Sequence, residues 1–134
     1  MSEYCIQRVL ERFADQVIET HSFRGDDTVV LKRDKLVDVL LFLRDDPTMA
    51  FDMPSDLTVV DWWRKKEPRF EVVYHLYSTG KKHRIRLKVP LEEDDAHVAT
   101  SVSVWPALDW YEREAFDLYG VIFDGHPNLK RVLM

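Results

Sequence analysis

Apolar residues recur at helical spacing near the start of the chain. Ile6, Leu10, Phe13 and Val17 follow one another at intervals of four, three and four residues, and charged residues occupy the other directions. Such a stripe is typical of an amphipathic helix with one buried face. The pattern therefore predicts a helix over residues 4–18.

The next segment favours a short strand followed by a second helix. The helical pattern breaks in a turn at 25–27, and the β-branched run at 28–32 is typical of a strand. Asp34 is a candidate N-cap for a helix with apolar residues on one face. Pro47 ends that helix, because the residue before a proline avoids helical geometry.

Strict alternation of residue types predicts a β-hairpin in the middle of the chain. A strand at 56–62 comes first, and alternating residues then fill 70–77 and 84–91 on either side of a turn at 78–81. The second hairpin strand has one apolar face and one basic face, which is typical of a sheet covered on one side only. The basic residues are Arg84, Arg86 and Lys88.

Helical spacing returns near the end of the chain. Pro106 is well suited to start a helix that runs to residue 119, and Gly120 suits the left-handed position that ends one. A short strand at 121–123 follows. The apolar stripe of this helix is Leu108, Tyr111, Ala115 and Leu118. We therefore expect one α+β domain over 1–134, with a mainly antiparallel sheet and helices packed on one face.

Charge and residue counts exclude several kinds of function. The net charge of −5 disfavours nucleic acid, and the basic run at 81–88 alternates with apolar residues before an acidic run at 92–95. The apolar run at 39–43 is far shorter than the roughly 20 residues that cross a bilayer. No secretory signal is visible, so we expect the cytoplasmic side of the membrane. Cys5 is the single cysteine, which excludes an internal disulfide and a four-thiolate iron–sulfur cluster.

Residues with catalytic potential lack the spacing that catalysis or metal binding needs. The four glycines form neither a dinucleotide fingerprint nor a phosphate loop, and the five histidines show no paired metal-ligand spacing. Glu114 and Asp117 are spaced as carboxylates commonly are on helices, and His126 lies in a turn. A small-molecule enzyme would need these three side chains to converge in a deep polar pocket.

The helix at 106–119 mixes charges with large aromatic residues. Arg113 and Asp117 stand one turn apart, where an exposed pair contributes only about 0.3–0.5 kcal/mol. Two interpretations stay open for this composition. One is a solvated face beside an ordinary core stripe, and the other is a protein interface, where aromatic residues and arginine are enriched.

The densest motif lies within residues 105–133. It reads Glu112-Arg113-Glu114, Asp117-Leu118-Tyr119-Gly120, Phe123, Gly125-His126-Pro127, Leu129 and Arg131. Upstream segments of the same kind are Leu43-Arg44-Asp45-Asp46-Pro47, Asp61 and Glu67-Pro68-Arg69-Phe70-Glu71-Val72-Val73-Tyr74-His75-Leu76. Together, over about residues 36–134, they closely resemble the 30 kDa subunit family of respiratory complex I, the NADH:quinone oxidoreductase. Residues 1–35 resemble that family only in their helix-then-strand pattern.

The resemblance implies a non-catalytic subunit of the hydrophilic arm that docks beside the D subunit, where the quinone site lies. No activity is expected of the isolated chain, and flavin and iron–sulfur clusters are expected in partner subunits, with no cofactor in this one. Membrane association is expected only through the complex. An equivalent subunit of a membrane-bound hydrogenase or another donor:quinone oxidoreductase is the alternative.

The same resemblance implies which residues dock. The implied docking residues are Glu112, Arg113, Glu114, Asp117, Tyr119, His126, Pro127 and Arg131. The family usually continues past residues 129–133 into a polar extension, so this chain is expected to lack it. Without the extension, Trp110 or Phe123 is expected to be more exposed than in the complex.

Overall fold

The computed structural model describes residues 2–23 and 26–127. Three α-helices and seven strands occur there, with three short 3₁₀ turns at 33–35, 93–95 and 106–108. The helices are α1 (Ser2–Phe13), α2 (Leu36–Asp45) and α3 (Asp109–Tyr119). The strands are β1 (Val17–Phe23), β2 (Asp26–Leu31), β3 (Met53–Asp61), β4 (Phe70–Ser78), β5 (His83–Leu91), β6 (His97–Ala99) and β7 (Ile122–Asp124).

Five strands form one mixed sheet in the order β1-β2-β5-β4-β3. Every neighbouring pair is antiparallel except β2 and β5, which run parallel. The predicted hairpin is β4–β5, with Tyr74 opposite Leu87. Strands β6 and β7 form a separate parallel pair. The predicted α+β class with a mainly antiparallel sheet is confirmed.

One face of the five-stranded sheet forms the hydrophobic core with the helices. Alternate residues of β4 and β5, such as Val72, Tyr74 and Leu87, belong to the same buried cluster as Val9 of α1 and Leu40 of α2. Burial of this continuous apolar layer is the main favourable contribution to folding. Helices therefore cover the face of β5 that alternation marks as apolar, and within residues 2–23 and 26–127 no helix covers the face with the basic residues.

The N-terminal region differs from its prediction. Helix α1 ends at Phe13, and Val17, which continues its stripe at helical spacing, instead begins β1. The segment 17–20 contains two β-branched aliphatic residues and one threonine, and it pairs with β2. Pairing with a neighbouring strand has overridden the local helical spacing here, as tertiary context commonly does. The turn predicted at 25–27 lies partly outside the described residues.

Smaller corrections apply to two element boundaries. Asp34 does not cap α2, because it lies within a 3₁₀ turn and Lys35 precedes the helix without a side-chain cap. Strand β3 begins at Met53, three residues before the predicted start, with a register shift between Pro54 and Asp56. This register shift is a β-bulge, and it interrupts the alternation of apolar and polar residues from which the start of the strand would otherwise be predicted.

Cys5 lies in this core and is expected to be chemically inert in the folded protein. Burial raises the pKa of its thiol to about 11, and the side chain is fully enclosed. The thiolate is the reactive form, so both access and ionisation oppose alkylation. We expect iodoacetamide to label the native chain at about pH 8 at least roughly 100-fold more slowly than the urea-unfolded chain. Rapid labelling without denaturant, measured by mass spectrometry, would contradict the buried placement.

Candidate partner-docking surface

Helix α3 is built so that one side faces the core and the other faces solvent. A 3₁₀ turn that starts with Pro106 leads into it, and Gly120, with φ of 74°, ends it while its N–H donates to the carbonyl of Phe116. Leu108 and Ala115 are buried, whereas Trp110 and Leu118 point outward. Helical spacing predicts Leu118 on the core stripe, and its 56% exposure corrects that prediction.

Glu112 occupies the buried side of α3. Its carboxylate accepts hydrogen bonds from the Ser101 N–H at 2.7 Å, the Ser101 hydroxyl at 2.6 Å and the Thr100 hydroxyl. The side chain is wholly buried, so its bonds join α3 to the loop that follows β6. The structure therefore places Glu112 beneath the surface, and its implied docking role stays a prediction. Glu112 is in position to stabilise the fold beneath the surface.

Arg113 and His126 meet around one carboxylate at the start of α3. The Nε of Arg113 lies 3.5 Å from Asp109 Oδ1, and Nε2 of His126 lies 2.7 Å from the same oxygen. The His126 side chain is buried, and the Arg113 guanidinium stacks over Trp110 at 5.4 Å. The turn after β7 is therefore held against the first turn of α3. The arginine charge stays partly exposed beside an exposed aromatic ring.

Exposed apolar side chains cluster in sequence along the outer side of α3 and the strand after it. We call Trp110, Glu114, Leu118, Tyr119 and Ile122 the α3 surface. Glu114 is exposed, and the exposed fractions of the other four range from 38% to 56%. The Tyr119 ring packs edge-on against Phe70 of β4 at 6.4 Å, which holds this end of the surface on the sheet. Large apolar residues left in solvent are typical of protein interaction sites.

The implied docking residues therefore have different environments. Glu114, Tyr119 and Pro127 are exposed, Arg113 and Asp117 are half-buried, and the side chains of Glu112 and His126 are buried. Arg131 lies outside the described residues. Docking by the exposed members stays a prediction. Phe123, for which greater exposure is expected, is buried.

Sequence reasoning missed two apolar members of the α3 surface. It places Leu118 in the core and treats Ile122 only as part of a strand. The available signal was the spacing of Trp110, Glu114 and Leu118 at intervals of four, which places a glutamate between two large apolar residues on one helix face. A face of that composition is better suited to a protein interface than to a core.

Residues of the upstream motif segments form ion pairs and hydrogen bonds that connect different parts of the fold. The guanidinium of Arg69 binds the Asp61 carboxylate through two hydrogen bonds of 2.8 and 2.9 Å, and it also contacts Glu93. Asp46 accepts from the hydroxyl and N–H of Thr48 and pairs with Arg8 of α1, and these contacts lower its carboxyl pKa to about 2. These residues support the loops between elements.

The described part of the chain contains no group of three or more His, Cys, Asp or Glu side chains arranged to hold a metal ion. Among the same residues, no helix is long and apolar enough to cross a membrane.

A family model described as "Respiratory-chain NADH dehydrogenase, 30 Kd subunit" matches residues 29–134. The chain belongs to this family. Proteins named as the C subunit of NADH-quinone oxidoreductase are similar to it over most of its length. That of Geobacter sulfurreducens is 42% identical over 127 residues, which cover 95% of this chain and 77% of that protein. That of Roseiflexus sp. strain RS-1 is 43% identical, and the match covers 96% of this chain and 74% of that protein.

Two solved structures share the fold. A trypsin-resistant fragment (1-134) of Nqo5 matches with a TM-score of 0.78 and 29% identity, covering 93% of this chain and 99% of that one. A chain of the archaeal membrane-bound sulfane sulfur reductase, a respiratory membrane complex, matches with a TM-score of 0.79 and 27% identity. That match covers 98% of this chain and 75% of the other. The family's fold therefore also occurs in a chain of an archaeal respiratory membrane complex.

Proposed function

We propose that this chain is a non-catalytic structural subunit in the hydrophilic arm of a proton-translocating NADH:quinone oxidoreductase. In this proposal it holds no flavin or iron–sulfur cluster, and it docks beside the quinone-site D subunit. It reaches the cytoplasmic face of the membrane only through the complex. Membership of the 30 kDa subunit family supports the proposal, as do relatives named for NADH-quinone oxidoreductase.

The observation that carries the docking proposal is the exposure of large apolar residues on the α3 surface. Trp110 and Leu118 are each more than half exposed on the outer side of a helix whose inner side is firmly anchored by Glu112. Tryptophan and arginine are enriched among the few residues that dominate binding energy, and here Arg113 stacks on Trp110. A rigid helix bearing such a pair needs little ordering on binding.

Replacing Trp110 with glutamate is expected to weaken binding to the D subunit from the same organism. Loss of a central aromatic residue costs about 2 kcal/mol or more, so Kd should rise roughly 30-fold. Titration calorimetry of the purified pair would measure it.

The matched control for that experiment is Trp63→Glu. Trp63 has nearly the same exposed fraction as Trp110, 52% against 51%, and also stacks with an arginine, but it lies in the β3–β4 loop. It should leave Kd almost unchanged. Equal effects of the two substitutions, with both variants folded by circular dichroism, would argue against docking through α3. No binding by the wild-type chain would count against the D subunit as the partner.

A second function is favoured by the likeness to a chain of the sulfane sulfur reductase. In that alternative, the chain is the equivalent subunit of a related membrane-bound hydrogenase or another donor:quinone oxidoreductase. Assemblies purified through a tag on this chain would distinguish the two. NADH:quinone activity in the assembly supports the first function, whereas oxidation of another donor without NADH activity supports the second.

A further inference from the structure

Glu114 lies at the centre of the outer side of α3, between two large apolar side chains. Trp110 precedes it by four residues and Leu118 follows it by four, so the three share one side of the helix. Their Cα atoms span about 12 Å along the helix axis. Trp110 and Leu118 are 51% and 56% exposed, and Glu114 is exposed as well. A partner that covers both apolar side chains therefore also covers the carboxylate between them.

The Glu114 carboxylate has no counter-ion of its own. Within the part of the chain that the structure describes, it forms no hydrogen bond and no ion pair. Residues three and four positions away are its neighbours on a helix surface, and here they are Trp110, Tyr111, Asp117 and Leu118. None of them is a cation, and Asp117 adds a second carboxyl group one turn away. The sequence of α3 therefore leaves the charge of Glu114 uncompensated.

Arg113 is the single basic residue of α3, and its charge is directed elsewhere. Its Nε lies 3.5 Å from Asp109 Oδ1, and its guanidinium stacks over the Trp110 ring at 5.4 Å. Consecutive residues on a helix do not face each other, so Arg113 is poorly placed to pair with Glu114. Glu112 differs from Glu114, because its buried carboxylate already accepts three hydrogen bonds. The outer side of α3 therefore presents an apolar surface with a negative charge at its centre.

Covering this charge without a partner group would oppose docking. A carboxylate that leaves water loses its hydration, and only a hydrogen-bonded counter-charge offsets that loss. Lysine and arginine fit the site best, because their aliphatic stems pack on apolar neighbours while the charged end reaches a carboxylate. Arginine can also bind both carboxylate oxygens through parallel hydrogen bonds. Charge complementarity therefore favours a cation on the surface that covers Glu114.

We propose that the protein bound to the α3 surface presents a lysine or arginine that pairs with Glu114, set among apolar side chains that contact Trp110 and Leu118. This inference rests on the proposed function, because it concerns the docking of the same surface. It adds the chemistry that the partner must have. A charge pair enclosed by apolar contacts also fixes how the two proteins are aligned, since a shifted alignment leaves both charges without a partner.

Two substitutions of Glu114 test the chemistry of the partner. Glu114→Gln keeps the size and a hydrogen-bonding group but removes the charge, and Glu114→Leu removes both polar functions. Each variant is titrated with the purified D subunit from the same organism, and the Kd is compared with that of the wild type. If the partner presents a cation, Kd should rise about tenfold for Glu114→Gln and roughly 30-fold for Glu114→Leu, because the partner's charge is left buried without its counter-ion.

Other partner chemistries give different results in the same titrations. If Glu114→Gln binds as the wild type does, the partner group is neutral and the inference is wrong. If Glu114→Leu binds more tightly than the wild type, the partner is apolar at this point and the inference is also wrong. The matched control is Glu11→Leu, which removes an exposed glutamate from α1 and should leave Kd unchanged. Circular dichroism checks that each variant is folded, as the exposure of both glutamates leads us to expect.

Failure of this inference can be told apart from failure of the proposed function. If the wild-type chain does not bind the D subunit, the proposed docking fails, and the inference that rests on it fails as well. If the wild type binds and Trp110→Glu weakens binding, but the Glu114 variants bind as tightly as the wild type, only the inferred cation is wrong. Docking through the α3 surface would then stand.

Discussion

Replacing Glu112 with alanine is expected to lower the free energy of unfolding by about 3–5 kcal/mol. The substitution removes the acceptor of three hydrogen bonds from Ser101 and Thr100 in a fully buried site. The Ser101 N–H and hydroxyl would stay buried without their partner, and a cavity would form beneath α3. Urea denaturation followed by circular dichroism measures the loss. An effect this large is a substantial part of the total stability of a small domain.

The control for that prediction lies two residues further along the same helix. Glu114 is exposed, so Glu114→Ala should change the free energy of unfolding by no more than about 0.5 kcal/mol. Glu112→Gln should fall between the two, because the amide oxygen still accepts, whereas the NH₂ group takes the place of an oxygen that accepts from either the Thr100 hydroxyl or the Ser101 N–H and hydroxyl. If Glu112→Ala proved as mild as Glu114→Ala, the buried placement of Glu112 would be wrong.

Replacing Phe123 with alanine is the second large expected loss, about 3–5 kcal/mol. Phe123 is buried in the short strand β7, where it pairs with Val98 of β6 and joins the main core cluster. Truncation removes apolar contacts and leaves a cavity that a short strand can fill only partly. Thermal and urea unfolding should both report the change.

Ile122 is the matched control for Phe123. It is the preceding residue of the same strand, yet it is 48% exposed, so Ile122→Ala should cost about 0.5 kcal/mol or less. The same substitution tests the α3 surface, because it removes an apolar side chain from the outer side without affecting the core. Weaker binding to the partner with unchanged stability would be the expected pattern. A large stability loss from Ile122→Ala would show that this surface is part of the fold.

Much of the fold could be predicted because its elements have clear local patterns. The β4–β5 hairpin follows from strict alternation on both sides of a short turn, and α3 follows from Pro106, helical spacing and Gly120. Alternation on β5 also indicates that only one sheet face is covered. Each of these patterns is set by residues close together in the chain, where the backbone periods of helix and strand apply directly.

The candidate site could be predicted only in part. The motif within residues 105–133 predicted the helix and the turn around His126, but the motif alone does not indicate which side of α3 faces the core. Helical geometry indicates that Glu112 shares a face with Leu108 and Ala115, at intervals of four and three, and this was the signal available for its burial. No pattern in the neighbouring sequence predicts that Ser101 and Thr100 donate hydrogen bonds to the Glu112 carboxylate.

The sequence by itself determined the α+β class, the hairpin, the charged-aromatic helix and the family to which the chain belongs. The tertiary structure decided that residues 17–23 form a strand, because β1 depends on pairing with β2 and not on its own period. It also placed β2 parallel to β5, where Thr28 and Arg86 are partners 58 residues apart, and linked Arg86 to His75 and Thr28 across three strands. Contacts of this kind depend on the register between strands that are distant in sequence. The local spacing of apolar residues does not predict which distant strand pairs with a given strand.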